Sequence, residues 1–264
     1  MSSPAETYEA YMVPSFFGPL AEHVLAVAQP QPGERVLDAA CGTGIVARRV
    51  AALAGPRGQV VGLDLNPAML TVARAVATRE GLTVDWRAGR VESLPFPDAD
   101  FGLVVCQHGL QYVPDRAAAV AELRRVLHPD GRVVVSVQQP IETRPFDLRL
   151  DEVLQVQFGV AAIRQIYALS DADELRTLLV GAGLRDITIT PVALPTRYPN
   201  PARYLRLRLT SVIVAIPSLQ QLDEQGREAV VAAIAQEMAQ PLRAYTVGDE
   251  VVMPSGVQIA HATR

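Results

Sequence analysis

Asp38 closes a short apolar run, Arg35-Val36-Leu37-Asp38, and is followed at once by Ala39-Ala40-Cys41-Gly42-Thr43-Gly44. A turn of this kind between a strand and a helix suits a ligand. Residues without side chains let the backbone come close, and the helix N-terminus offers free amides. Gly42-Thr43-Gly44-Ile45-Val46-Ala47 fits the G-x-G-x-x-A pattern of dinucleotide sites, and Asp64, about twenty residues on, stands where a ribose-binding acid is expected. Taken alone, the pattern does not choose among nucleoside ligands. Further along, Cys106-Gln107-His108-Gly109-Leu110-Gln111-Tyr112 follows a second apolar run. A histidine there is a candidate general base for a hydroxyl, a protonated amine or an acidic carbon. The competing reading of His108 is a structural side chain that only hydrogen-bonds.

The elements that must position these residues alternate. Strands are expected at Arg35 to Asp38, Gln59 to Asp64, Thr83 to Arg87, Phe101 to Cys106 and Arg132 to Val137. Helical spacing fills Ile45 to Leu53, Pro67 to Arg79 and Arg116 to Leu127 between them. This order predicts an α/β fold, a Rossmann-like doubly wound sheet that is mostly parallel, with ligands at the carboxyl ends of its strands. Asp38, Asp64 and Gln107-His108 all fall at such ends. Beyond residue 140 the pattern loosens. A helix at Asp171 to Gly181, a strand at Arg185 to Pro191 and an antiparallel last strand at Gly256 to Ala262 are expected, with further helices around Pro201 to Ile216 and Leu222 to Ala239. The simplest organisation is one domain. Its core takes about 20–140, 170–192 and 249–264, and a helical cap takes about 141–169 and 193–248.

Four ordered blocks carry a family resemblance. They are Val36-Leu37-Asp38-Ala39-Ala40-Cys41-Gly42-Thr43-Gly44, Gly62-Leu63-Asp64-Leu65-Asn66-Pro67-Ala68-Met69-Leu70, Glu92-Ser93-Leu94-Pro95-Phe96-Pro97-Asp98, and Glu122-Leu123-Arg124-Arg125-Val126-Leu127-His128-Pro129-Asp130-Gly131. Together they resemble the class I methyltransferases that use S-adenosylmethionine (SAM), in the branch similar to the ubiquinone- and menaquinone-biosynthesis enzymes. The resemblance spans roughly Pro30 to Val137. It implies that Asp38 faces the methionine amino group, that Ala40, Gly42 and Gly44 let the backbone approach, and that Asp64 accepts from the ribose hydroxyls. Leu65 and Met69 would flank the adenine, with Gly89, Arg90 and Val91 beside it and Gln107 and Tyr11 completing the cofactor contacts. The product would be S-adenosylhomocysteine, and His108 would face the transferable methyl.

Three positions depart from the family. Ala40 replaces its first glycine. Arg90 stands where relatives usually carry an Asp that accepts from the adenine amino group, which a guanidinium cannot do. Gly102 follows Phe101 where an Asp is usual, a change expected to act on structure. Aromatic residues make up only 5% of the chain, yet Tyr8, Tyr11, Phe16 and Phe17 cluster near its start. They are expected either over the sulfonium or in a buried helix face.

Bulk properties narrow the function. With 24 basic and 28 acidic residues interspersed, no basic stripe points to nucleic acid. The Pro-Cys context of cytosine C5 methylases and the Asn/Asp-Pro-Pro-Tyr motif of amino-directed nucleic-acid methylases are both absent. Cys41 and Cys106 are too few for a disulfide framework or a zinc site, so no metal is expected. No apolar stretch approaches the roughly 20 residues of a membrane span, and the N-terminus has no secretory pattern. A cytoplasmic small-molecule methyltransferase is the expectation, with the acceptor and the oligomeric state unread. Two other readings stay open: a SAM-binding protein that transfers no methyl group, and an NAD-dependent oxidoreductase.

Overall fold

A computed structural model describes residues 3–55, 57–213 and 216–264. The chain divides into two compact units. The first holds residues 1–138, 169–192 and 257–264; the second holds 139–168 and 193–256.

Seven strands form the sheet of the first unit: β1 Arg35–Ala39, β2 Gln59–Asp64, β3 Asp85–Ala88, β4 Phe101–Gln107, β5 Leu127–Gln138, β6 Arg185–Ala193 and β10 Gly256–Thr263. Their order is β3-β2-β1-β4-β5-β10-β6. The pairings of β1 with β2 and β4, of β2 with β3 and of β4 with β5 are parallel, whereas β10 runs antiparallel to β5. The expected α/β architecture and the antiparallel last strand are therefore observed. Central strands read as unbroken apolar runs because both faces are covered; Leu103, Val104, Val105 and Cys106 of β4 are all fully buried. Strand order reverses at β1, and the carboxyl ends of β1 and β4 flank the crevice where such sheets bind ligands.

Local chemistry sets the helix starts. Asn66 caps α4 (Pro67–Arg79) by accepting from the Ala68 amide at 2.9 Å, and Pro67 follows with its φ already helical. Asp115 caps α5 (Arg116–Val126) in the same way. Asp171 caps α7 (Ala172–Gly181), its side chain accepting from the Asp173 amide at 2.7 Å. The chain begins with a single turn, α1 (Pro4–Thr7), which leads into a π-helix over Tyr8–Phe17 and then α2 (Gly18–Ala28); α3 (Ile45–Ala54) follows the glycine loop.

Several boundaries moved. β5 begins at Leu127, because Leu127 already pairs with Phe101 and a register shift carries the strand through His128-Pro129-Asp130-Gly131. Gly102 is a structural choice as expected: a Cβ there would lie 2.8 Å from Glu34 Oε1, whose carboxylate is bound by Arg132. The second unit holds α6 (Pro145–Phe158), α8 (Pro201–Ile213), α9 (Pro217–Gln220) and α10 (Glu224–Arg243), together with a three-stranded sheet that the sequence did not announce. In that sheet β9 (Glu250–Met253) lies between β7 (Thr196–Pro199) and β8 (Thr246–Val247), and Gly248-Asp249 turns the β8–β9 hairpin. Residues 250–253, expected with the core, pair here instead. Strands of two to four residues are too short to show a period. Within the expected Pro201 to Ile216 helix, Val214 and Ala215 lie outside the described residues.

Candidate active site

The loop after β1 is built from left-handed residues. Ala40, Gly42 and Gly44 have φ of 57°, 56° and 81°. Only Gly adopts this region without strain, so Ala40 carries a steric cost of roughly 1–2 kcal/mol that the surrounding fold must hold in place. Its methyl group has a second effect. A Cβ on Gly109 would lie 2.5 Å from the Ala40 Cβ and 3.0 Å from Cys106 Sγ, so Gly109 must stay a glycine. Gly44 is also required by a residue the sequence reading passed over. A Cβ there would collide with the indole of Trp86, and a Cβ on Gly62, the β2 partner of Trp86, would do the same. Gly44 thus seats a half-buried indole on β3; the G-x-G pattern alone suggested only backbone approach to a ligand.

Two carboxylates bracket the loop. Asp38 is 2% exposed and accepts from the Ala47 amide of α3 at 2.9 Å. Desolvation pushes its carboxyl up to about 7, against the pull of the Ala47 amide, and the negative charge of Asp64 adds to the rise. Asp64 accepts from the Gly42 amide at 2.7 Å and from the Asn66 amide at 2.8 Å, tying the β1 loop to the start of α4. Gly89 donates to the Asp64 carbonyl at 3.1 Å, which brings the 89–91 segment alongside. Arg90 is 49% exposed at its side chain and ion-paired with Glu92 at 2.8 Å, while Val91 is buried. Leu65 is 59% exposed and Met69 half-buried, so both lie at the surface end of this region.

His108 sits directly beyond β4 at φ 53°, and its side chain is buried. Its amide donates to the Ser136 carbonyl at 2.9 Å, and its Nδ1 lies 3.0 Å from Ser136 Oγ. Serine on β5 therefore grips both backbone and ring. The rings of Phe16 and Phe17 meet the imidazole edge-on at 5.2 and 6.1 Å. Gln107, also buried, donates from Nε2 to the Phe17 carbonyl at 3.2 Å. Burial pushes the neighbouring Cys106 thiol up to about 12, which makes it an inert core group.

The aromatic N-terminal segment packs on this same region. Tyr11 is buried on the π-helix, and the Tyr8 hydroxyl oxygen lies 3.7 Å from the Gly42 Cβ position. Tyr8 stacks at 4.9 Å on Phe17. A second tie escaped the sequence reading: Arg48 of α3, 5% exposed, bridges Glu9 at 2.7 Å and Glu80 at 2.6 Å. No motif flags such an arginine; only its place on the inner face of an amphipathic helix does. Among the described residues no group of His, Cys, Asp and Glu is arranged to hold a metal.

This loop-and-carboxylate geometry on a 3-2-1-4-5 sheet agrees with relatives of known class. A family profile described as a methyltransferase domain matches residues 37–135. The ubiquinone/menaquinone biosynthesis C-methyltransferase UbiE of Shewanella frigidimarina is 40% identical over 183 residues, covering 64% of this chain and 73% of that one. A 2-phytyl-1,4-naphtoquinone methyltransferase of Synechococcus elongatus is 41% identical over 107 residues; the match takes 40% of this chain and spans 46% of that relative's length. The solved structure of phosphoethanolamine N-methyltransferase 2 from Haemonchus contortus, in complex with S-adenosylhomocysteine, shares the fold at a TM-score of 0.57 and 17% identity, covering 94% of this chain and 52% of that one. The chain belongs to the class I SAM-dependent methyltransferases, in their UbiE-like branch. SAM is the methyl donor of that family.

Proposed function

We propose that the protein transfers a methyl group from SAM to a small-molecule acceptor. The observation that carries this reading is the pair of strand-end carboxylates around the left-handed loop. Asp38, buried and poised near neutrality, suits a cationic amino group, and Asp64 retains acceptor capacity for ribose hydroxyls beyond its two amide contacts. These residues fit the cofactor. Arg90 does not replace the missing adenine acceptor, since a guanidinium only donates, and it is turned to Glu92 at 2.8 Å; the backbone of residues 89–91 takes that role in this reading. When bound, SAM supplies an electrophilic methyl group for in-line displacement.

The protein's own contribution is positioning and proton transfer. Ser136 orients the His108 ring through Nδ1, so Nε2 is the atom assigned to take the acceptor's proton. Phe16 and Phe17 shield the imidazole from water. The cytoplasm is the compartment this reading implies, consistent with two buried free thiols. No helix among the described residues is long and apolar enough to cross a membrane.

Calorimetry tests the cofactor. SAM and S-adenosylhomocysteine should bind and NAD should not, and Asp64→Ala should weaken the nucleoside by about 100-fold or more, the worth of two hydrogen bonds to a charged group. Well-folded protein that binds neither sulfur compound would overturn the reading. His108→Gln should lower turnover by about 100-fold and remove the acidic limb of the pH–rate profile. Undiminished turnover with an unchanged profile would end the base assignment.

A further inference from the structure

Four buried carboxamide atoms at the carboxyl ends of β4 and β5 have no hydrogen-bond partner among the described residues. They are Gln107 Oε1, Gln138 Oε1, and both Oε1 and Nε2 of Gln111. Gln111 is 3% and Gln138 5% exposed. Buried polar groups are ordinarily paired, and each exception calls for a reason.

The sheet places these side chains together. Gln107 ends β4 and lies beside Ser136 of β5 in parallel register. Partners of that kind share a face, and Gln138, two residues further along, returns to it. On this face Ser136 Oγ lies 3.0 Å from His108 Nδ1, and Gln107 Nε2 donates to the Phe17 carbonyl at 3.2 Å. On β10 the residues opposite Ser136 and Gln138 are Ile259 and Val257, both apolar and buried, so that strand brings the Gln138 amide no polar side chain. Gln111 sits on the single turn Leu110–Tyr112, three residues past His108. Arg116, at the start of α5, donates to the main-chain carbonyl of Gln111 at 3.3 Å and pairs with Glu174 of α7. The turn is pinned through its backbone, and the carboxamide is left over.

The fold makes no use of these four atoms. Away from water an unmet amide is costly, so a molecule that meets it is strongly preferred to one that does not. Three of the atoms are oxygens, which accept, and one is a nitrogen, which donates. An anion would set further acceptors against those oxygens. A neutral molecule bearing O–H or N–H groups satisfies them. We propose that Gln111 and Gln138 bind the methyl acceptor, and that this acceptor is an uncharged molecule presenting at least two O–H or N–H groups. The assignment rests on the small-molecule methyltransferase reading above. One such group gives its proton to His108 as its heteroatom takes the methyl, and the carboxamides hold the rest.

Calorimetry on the full chain saturated with S-adenosylhomocysteine tests it, with resorcinol, 1,3-dimethoxybenzene and 3-hydroxybenzoate as probes. Resorcinol should bind saturably. The dimethoxy compound, which has the same ring and no donor, and the anionic benzoate should each bind at least about tenfold more weakly. Gln111→Met and Gln138→Met keep the length of the side chain and remove its polar atoms. Each should weaken resorcinol by about tenfold or more, leave S-adenosylhomocysteine affinity unchanged, and raise the melting temperature of the ligand-free protein by a few degrees. A glutamine kept only for the fold would give the opposite shift, a lower melting temperature.

Lowered melting temperatures with unaltered resorcinol affinity would overturn the proposal. So would equal binding of resorcinol and its dimethyl ether, tighter binding of the benzoate, or no resorcinol binding while S-adenosylhomocysteine still binds. Failure of the native chain to bind SAM or S-adenosylhomocysteine would count against the methyltransferase reading instead. The comparison of probes on the native chain stands even if a variant fails to fold.

Discussion

Asp38 shows how one buried side chain couples cofactor, proton and stability. Its carboxyl titrates at about 7 in the folded protein against 3.8 ordinarily. Between those values the folded state keeps a proton that the unfolded chain has released, so stability falls as pH rises through the interval, and the penalty is complete above pH 7. Asp38→Asn should therefore raise the melting temperature of the cofactor-free protein by several degrees at pH 8 and by little near pH 4. The variant should also lose SAM affinity. A melting-temperature difference that does not vary with pH would contradict the assignment. For the native chain, binding a ligand with a cationic amine should expel the proton, so calorimetry in buffers of different ionisation enthalpy should detect proton release below pH 7, and affinity should fall as pH drops. The Ala40 strain belongs to the same scale. Ala40→Gly should stabilise the fold by up to about 1 kcal/mol, read from urea midpoints, as φ relaxes without a Cβ.

At the scale of elements, the glycine loop and β3 are one packing unit. Gly44→Ala should destabilise by about 3 kcal/mol, from the clash with Trp86 and the positive φ together. In the Trp86→Ala background the same substitution should cost markedly less, and a double-mutant cycle measures that coupling. The element also shows what sequence reading reaches. Strand and helix periods, strand-end acids and caps are local signals, so β1, β2, β4, α4 and α7 lay close to where the residues placed them. The roles of Trp86, Tyr8 and Arg48 depend on what lies across the sheet or on a distant helix, and no local pattern encodes that. Nor does a four-residue strand such as β7, whose partner β9 lies some fifty residues on. In the candidate site, Asp38, Asp64, the loop and His108 were legible because strand ends locate them. The Ser136 grip on His108 was not, since it spans 28 residues of sequence.

For the whole molecule, Arg48 ties the π-helix to α3 and α4 through Glu9 and Glu80. Arg48→Met should cost about 3 kcal/mol, because it leaves Glu9 largely buried and without its ion pair. Hydrogen exchange should then accelerate across Tyr8–Phe17 before it does in the central strands. The sheet itself carries a consequence for how the protein is made. β10 lies between β5 and β6, yet follows the entire second unit in the chain. A nascent chain on the ribosome can pair β3, β2, β1, β4 and β5 early, but β6 has no neighbour and β5 keeps a bare apolar edge until Gly256–Thr263 emerges. The long loop closure makes that final insertion slow, and it is the stage at which this chain most needs protection from aggregation.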